Sequence, residues 1–471
     1  MQDLTASHPT NGMLSCLRRD RRLFAWGALA GFVFRIFFLL RFRLLTNDTF
    51  VYGAIAKNWI ETGVFGFAGT PSPIPTWIRM PGYPAFLAAI WAIFGKEHYT
   101  AVLATQIFCD VGTCFVIADL TRRVVSERAA KTAFILAVSC PFFANYAAVA
   151  LTETLAIFFA ALALDLAVWA LDADRLTPWA ACGVAVACGI LLRPDGGIVL
   201  ICIGLYLVIR LAGARDKRLR LHFLSSGAVL ASVALTPLIP WTLRNWRDFH
   251  RFQPLTTVYA SAADEFVPYG FYKWVRTWIV DYSSVEDIWF KVPSEEIQIR
   301  DLPPRAIDNS EQRRQTEGLF ARYNDLFDVS PEMDAQFNQL ANTRIRASYL
   351  RYYVWLPLLR ATALWLRPRT EMLPLDRHWW RWRDDPHDSA WAIFLGLMNL
   401  FYVLSALIGL RHWKAIRYGW LLISFVLIRT VFLAWMPNPE PRYVLECYPV
   451  VLVFSAATFA AWKRRPAAEA A

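Results

Sequence analysis

Seven ionisable residues in this sequence stand beside the ends of long apolar runs: Asp48, Arg79, Glu153, Arg193, Asp195, Arg244 and Arg442. Carboxylates and guanidinium groups together are what moving a group from an anionic donor to a hydroxyl requires. A carboxylate can take the proton from the attacking hydroxyl. A guanidinium holds a phosphate by forked, charge-assisted hydrogen bonds. Charges at or inside a membrane boundary are costly, so they raise a functional question wherever they occur. What matters next is whether the chain brings these seven to one face.

The elements that must position them are membrane spans. Of 471 residues, 56% are hydrophobic and only 18% charged, against about a quarter charged in a soluble protein. Apolar runs of roughly 18 residues or more recur along the whole chain. The reading is an all-α polytopic membrane protein of about ten transmembrane helices, at about 23–44, 98–118, 131–149, 152–171, 176–192, 196–213, 223–243, 389–410, 416–436 and 443–462. No small-residue cleavage site follows the first apolar run, so that run reads as an uncleaved span.

Positive charge fixes the orientation. With the N-terminus cytoplasmic, the basic connections at Arg122–Lys131, Arg175, Arg210–Arg220, Arg411–Arg417 and Lys463–Arg465 all fall on the cytoplasmic side, as short Lys/Arg-rich loops do. Both termini are then inside, and all seven residues share the outer face. The net charge of +11 belongs to this topology and not to a nucleic-acid partner. Two long segments, about Leu45–Glu97 and Arg244–Asp388, face outside. Within the first, Asn58–Phe67 and Tyr83–Phe94 are too short to cross and are expected as interfacial helices; within the second, the amphipathic Arg351–Leu366 reads as a surface helix or as a partial eleventh span. The expected organisation is a catalytic transmembrane module at 1–243 that includes the outer loop 45–97. A large outer loop at 244–388 and C-terminal transmembrane helices at 389–471 follow it. No separate soluble domain is expected.

The sequence around each charge also resembles a family. Asn47-Asp48-Thr49-Phe50-Val51-Tyr52, Arg79-Met80-Pro81-Gly82-Tyr83-Pro84 and Leu151-Thr152-Glu153-Thr154-Leu155 are the first three matches. Leu192-Arg193-Pro194-Asp195-Gly196, Pro240-Trp241-Thr242-Leu243-Arg244-Asn245 and Arg442-Tyr443 complete the set. In this order and on this membrane side they resemble the GT-C glycosyltransferases, in particular the bacterial relatives of protein O-mannosyltransferases and of the lipid A aminoarabinose transferase. The resemblance covers about residues 20–250 well and the last two spans more loosely. It implies an inverting transfer from a polyprenyl-phosphate sugar to a glycan, lipid or protein acceptor, with Asp48 near the reaction centre. It further implies Glu153 as a second catalytic carboxylate, Arg79, Arg193 and Arg244 on the donor phosphate, and Tyr52, Tyr83, Arg442 and Tyr443 as donor or acceptor contacts.

Each residue also has a plainer reading. Asp48 could cap a helix that begins near Thr49. Glu153 could be placed by the dipole of the span it opens, or could ligate a divalent metal. Arg193 and Arg244 could be interfacial anchors. Arg35, Asp110 and Asp165, inside spans, are expected to pair or pack in the bundle interior, the eight cysteines to pack as small apolar residues, and Trp379-Trp380-Arg381-Trp382 to form an interfacial belt. A transporter or flippase of lipid-linked sugars is the rival function. Ala- and Arg-rich usage points to a bacterial inner membrane, with the site on its periplasmic side.

Overall fold

The computed structural model describes residues 12–375, 378–436 and 438–462; the basic Lys463–Arg465 of the expected cytoplasmic end lies outside them. The chain forms two compact units, Met1–Ala263 with Phe401–Val426 and Leu445–Ala471, and Asp264–Leu400 with Leu427–Val444. The first unit opens with α1 (Met13–Arg19), α2 (Arg21–Phe42) and α3 (Asn47–Thr62), then a two-residue hairpin pairing β1 (Gly66–Phe67) with β2 (Ile74–Pro75). It continues through α4 (Gly82–Phe94), α5 (Tyr99–Val124), α6 (Glu127–Val138), α7 (Pro141–Ala147), α8 (Glu153–Asp172) and α9 (Thr177–Leu192). Next come α10 (Gly197–Gly213), α11 (Lys217–Leu235) and α12 (Leu238–Phe249). The second unit contains α13 (Tyr269–Arg276), α14 (Tyr282–Ser284), α15 (Ser310–Leu326), α16 (Pro331–Ala347) and α17 (Leu356–Leu366). The boundaries between units fall inside α18 (Pro386–Leu410) and α19 (Gly419–Trp435), and α20 (Tyr448–Trp462) returns to the first.

The architecture is all-α and polytopic, as expected. Six helical segments among the described residues are long and apolar enough to cross a membrane, or seven if α11 and α12, bent by 41° to each other, form one span. The bend falls at Thr236-Pro237, where proline removes a helix hydrogen-bond donor. The other three expected spans differ from the reading for local reasons. Helices α9 and α19 are apolar but have 16 and 17 residues. The run at 131–149 is two helices, because Pro141 ends one and opens the next.

That break leaves the last carbonyls of α6 without helical partners, which an apolar surrounding does not forgive. Arg35, fully buried on α2, supplies the donors. Its guanidinium reaches Val138 O at 2.8 Å, Ala137 O at 3.3 Å and Asp110 Oδ2 at 2.5 Å. Arg35 and Asp110 therefore pair, as expected, but the same guanidinium also caps a broken helix. Asp165 meets Arg123 at 3.0 Å.

In the first outer segment the helix expected at Asn58–Phe67 instead runs Asn47–Thr62. It stops at Gly63, whose φ of 75° is the left-handed conformation that glycine adopts without cost. The helix expected at Tyr83–Phe94 is α4. In the second unit the expected Arg351–Leu366 is helical throughout, a π turn at Arg351–Trp355 running directly into α17, and it is shorter than a membrane span of roughly 20 residues. Around Phe271, Trp274, Trp278, Tyr323, Phe337 and Leu340 that unit builds a core of its own, although no such domain was expected from composition. Helices α13, α15 and α16 each bury one apolar stripe and leave most of their charges outside, with Arg344 of α16 buried.

Arg35→Met should cost about 3–5 kcal/mol, the range for breaking one side of a buried ion pair. Asp110→Leu made in the Arg35→Met background should add less than it does alone. Denaturation of the purified protein in detergent reads both; fully additive losses would show that the two residues are not coupled.

Candidate active site

Asp48 sits in the first turn of α3, but it does not cap that helix. Thr46 is the N-cap: its hydroxyl accepts from Thr49 N–H, and the Thr49 hydroxyl accepts from Thr46 N–H. The capping reading of Asp48 is thus displaced by a residue two positions earlier. Asp48 Oδ1 instead receives Arg79 Nη2 at 2.7 Å, and the Arg79 guanidinium lies over the Tyr52 ring, 5.6 Å from its centroid. Arg79 arrives on the loop before α4, and that loop is pressed against the end of α9. A Cβ on Gly82 would stand 2.6 Å from Leu191 O, so only glycine allows this approach.

Glu153 is positioned by three hydrogen bonds onto the turn before it. Leu44 N–H, Gln106 Nε2 and the Thr49 hydroxyl donate to Ala148 O, Val149 O and Ala150 O at 3.3, 2.8 and 3.0 Å. Three consecutive carbonyls in a buried turn are thereby satisfied from α5, from α3 and from the residues between α2 and α3. Helix α8 then begins at Glu153, where the helix dipole favours a negative charge. Glu153 is buried and receives Arg193 Nη1 at 3.1 Å. Arg193 Nε also meets Asp195 at 3.1 Å and stands 3.9 Å from Glu446.

Tyr52 joins the two clusters. Burial raises its phenol to about 12; Arg79 and Arg193 pull it down while Asp48 and Glu153 push it up. All four charges therefore act on one ring. Tyr83 stands edge-on to Tyr52 at 5.0 Å and donates from its hydroxyl to Gln106 Oε1 at 2.7 Å. Asp48, Arg79, Glu153, Arg193, Tyr52 and Tyr83 thus share one locality within the first unit.

Arg244 is engaged elsewhere in that unit. It donates to Thr76 O at 2.7 Å and to Phe65 O, pairs with Asp248 at 2.9 Å, and lies over Phe65, Trp241 and Phe249. Its contacts fasten the hairpin loop that leads to Arg79. Arg442 and Tyr443 belong to the second unit, where Arg442 pairs with Glu440 at 2.5 Å and Tyr443 donates to Glu440 at 2.9 Å. As for a metal, Glu153, Asp195 and Glu446 converge on the Arg193 guanidinium and not on one another. The one group of three His, Cys, Asp or Glu ligand atoms found close together among the described residues is Asp385, His387 and Asp388. The donor set around Glu153 does not fit a divalent ion.

Sequence reasoning missed Glu446 and Gln106. Each is a polar residue inside an apolar run, and that alone was the signal available.

A family model described as dolichyl-phosphate-mannose-protein mannosyltransferase matches residues 75–241. No curated protein matches the chain. The archaeal oligosaccharyltransferase AglB from Archaeoglobus fulgidus, solved with an inhibitory peptide and a dolichol-phosphate, shares the fold. The TM-score is 0.54 at 15% identity, over 94% of this chain and 50% of that one. A second structure of that enzyme, with Zn and sulfate, gives 0.52 at 14% identity over 93% and 49%. ArnT from Cupriavidus metallidurans bound to undecaprenyl phosphate gives 0.42 at 12% identity over 94% and 78%. The chain spans about half the length of AglB. The GT-C resemblance read from the motifs is met by both the family model and the fold.

Gly82→Ala should destabilise the protein by about 1–3 kcal/mol, as overpacking does. At Gly204 a Cβ would meet nothing within 4 Å, so Gly204→Ala should leave the melting temperature unchanged or raise it. Equal melting temperatures for the two variants would contradict the tight approach of the Arg79 loop to α9.

Proposed function

We propose that this chain is an integral-membrane glycosyltransferase. It moves a sugar from a polyprenyl-phosphate donor to a hydroxyl of a glycolipid, polysaccharide or protein. The observation that carries the reading is a pair of carboxylate–guanidinium contacts in one locality, Asp48 with Arg79, which lies over the Tyr52 ring, and Glu153 with Arg193, whose charges also act on the Tyr52 phenol. The family model matched at residues 75–241 and the dolichol-phosphate in the AglB structure support a lipid-phosphate donor.

In this mechanism Asp48 takes the proton from the acceptor hydroxyl as its oxygen attacks the anomeric carbon. The bond from that carbon to the phosphate oxygen breaks on the opposite face, so configuration inverts. Polyprenyl phosphate leaves carrying the bonding pair. Arg79 and Arg193 hold that phosphate and stabilise the negative charge that grows on it, which is worth most where water is excluded. Arg79 would exchange its contact with Asp48 for one with the phosphate, freeing the carboxylate to act as the base. Glu153 keeps Arg193 oriented, and Arg244 fixes the loop carrying Arg79. Residues 1–243 would form the catalytic module, with acceptor selectivity in 244–388 and 389–471 completing the membrane scaffold. The basic connections support a cytoplasmic N- and C-terminus, a site on the periplasmic face and a bacterial inner membrane.

Asp48→Asn in the purified protein, assayed for transfer from a radiolabelled polyprenyl-phosphate sugar, should lose about 10²–10⁴-fold in turnover, the range for removing a general base. Undiminished turnover would take Asp48 out of the mechanism. Lipid movement across the bilayer without transfer would favour a flippase instead.

A further inference from the structure

The second unit contains a cavity of about 230 Å³ whose walls include Tyr282, Glu286, Arg367, Thr370, Glu371 and Leu373. Pockets for drug-sized ligands run from about 300 to 1,000 Å³, so this one is on the scale of a smaller molecule such as a single ring and far short of a lipid tail. Arg367 donates to the Ser283 hydroxyl at 3.0 Å and lies over the Tyr282 ring, 5.7 Å from its centroid.

Glu371 is the unusual member of this wall. Both its carboxylate oxygens are shielded from solvent and neither meets another residue's hydrogen-bond donor among the described residues, its own backbone N–H being the one donor that acts on it. Burial pushes its carboxyl above the usual range, against the pull of Arg369, Arg367 and Arg442. A carboxyl in that position is costly unless something donates to it. Glu286 and Glu440 act on the neighbouring Tyr282 together with Glu371 and Arg442. Three carboxyls, Glu286, Glu371 and Glu440, are thus set against three guanidinium groups, Arg367, Arg369 and Arg442. The segment that brings in Glu440 and Arg442 is itself fixed, by Arg369 donating to Pro441 O at 2.7 Å and Arg429 to Tyr443 O at 3.0 Å.

This balance discriminates between ligands. Of the charged groups that line the cavity, Glu286 and Glu371 are carboxyls and Arg367 is a guanidinium, so a phosphate would meet two carboxyls and a cation would meet the Arg367 guanidinium, with Arg369 and Arg442 also acting on Glu371. A neutral molecule that donates and accepts at several points suits the wall better. Glu371 accepts, Arg367 donates, and the hydroxyls of Thr370 and Tyr282 do either. A sugar ring carries hydroxyls of this kind around a C–H surface that Leu373 can cover.

We propose that this cavity is a binding subsite for a neutral sugar ring, with Glu371 accepting hydrogen bonds from the ring hydroxyls. The subsite stands on its own chemistry. Its use in catalysis, for the sugar of the donor or for the terminal sugar of the acceptor, rests on the function proposed above.

The test is saturation-transfer NMR on the full chain in lipid nanodiscs, with methyl glycosides of hexoses, N-acetylhexosamines and pentoses as probes. At least one probe should bind saturably, and Glu371→Gln, nearly isosteric, should weaken it at least about tenfold, or about 1.4 kcal/mol. If Glu371→Gln does not fold, Thr370→Val should weaken the same probe several-fold at an unchanged melting temperature. Three results would overturn the proposal: no saturable binding by any probe, undiminished binding by the variant that folds, or displacement of the bound probe by millimolar Ca²⁺. In a transfer assay, a KM raised for the donor alone or for the acceptor alone would assign the ring to that substrate. Ring binding without any detectable transfer would sink the proposed function and leave the subsite standing.

Discussion

Arg193 ties together the ends of four elements of the first unit. It follows α9 directly and reaches Glu153 at the start of α8, Asp195 in the turn before α10, and Glu446 just ahead of α20. Only 16% of its side chain is exposed, so its charge is held mainly by these carboxylates and little by water. Leaving such a charge unpaired costs several kcal/mol. The helices whose ends carry the partners are therefore held at one level, and the Asp48 pair is built against that fixed point through Gly82 and Tyr52.

A second theme is the arginine that serves backbone carbonyls. Arg35 caps the break between α6 and α7, and in the second unit Arg360 donates to Ile279 O at 2.8 Å and to Arg276 O. Arg344 bonds Arg305 O at 2.8 Å and Thr277. Burial lowers Arg344 and Arg360 to about 10, so both remain charged at neutral pH. A planar guanidinium with five donors can satisfy several carbonyls at an irregular junction where no helix or sheet ladder can. Broken helices and loops near a membrane are tolerated on that condition.

These devices divide the labour. In the first unit, Asp48 with Arg79 and Glu153 with Arg193 set paired charges beside Tyr52. Guanidinium groups bonded to carbonyls hold the frame still around them. Tyr52 lies where both clusters of charge are felt, and Tyr83, Gln106 and the turn at 148–150 link its position to that of Glu153.

Much of this was legible from the chain alone. Apolar runs determine that the protein is helical and polytopic, because lipid enforces that rule on local sequence, and the charges beside those runs were singled out with them. Asp48, Arg79, Glu153 and Arg193 were found that way. Tertiary structure decided which charge meets which. It set Thr46 and not Asp48 as the helix cap, turned Arg244 to a hairpin loop, and added Glu446 and Gln106. The apolar stripes of α15 and α16 also escaped a reading by composition, since charges outnumber the few residues that pack, such as Phe320, Tyr323 and Phe337. Periodicity and charge are properties of short segments, whereas pairing depends on the approach of helices far apart in sequence. Only the packed chain contains that information.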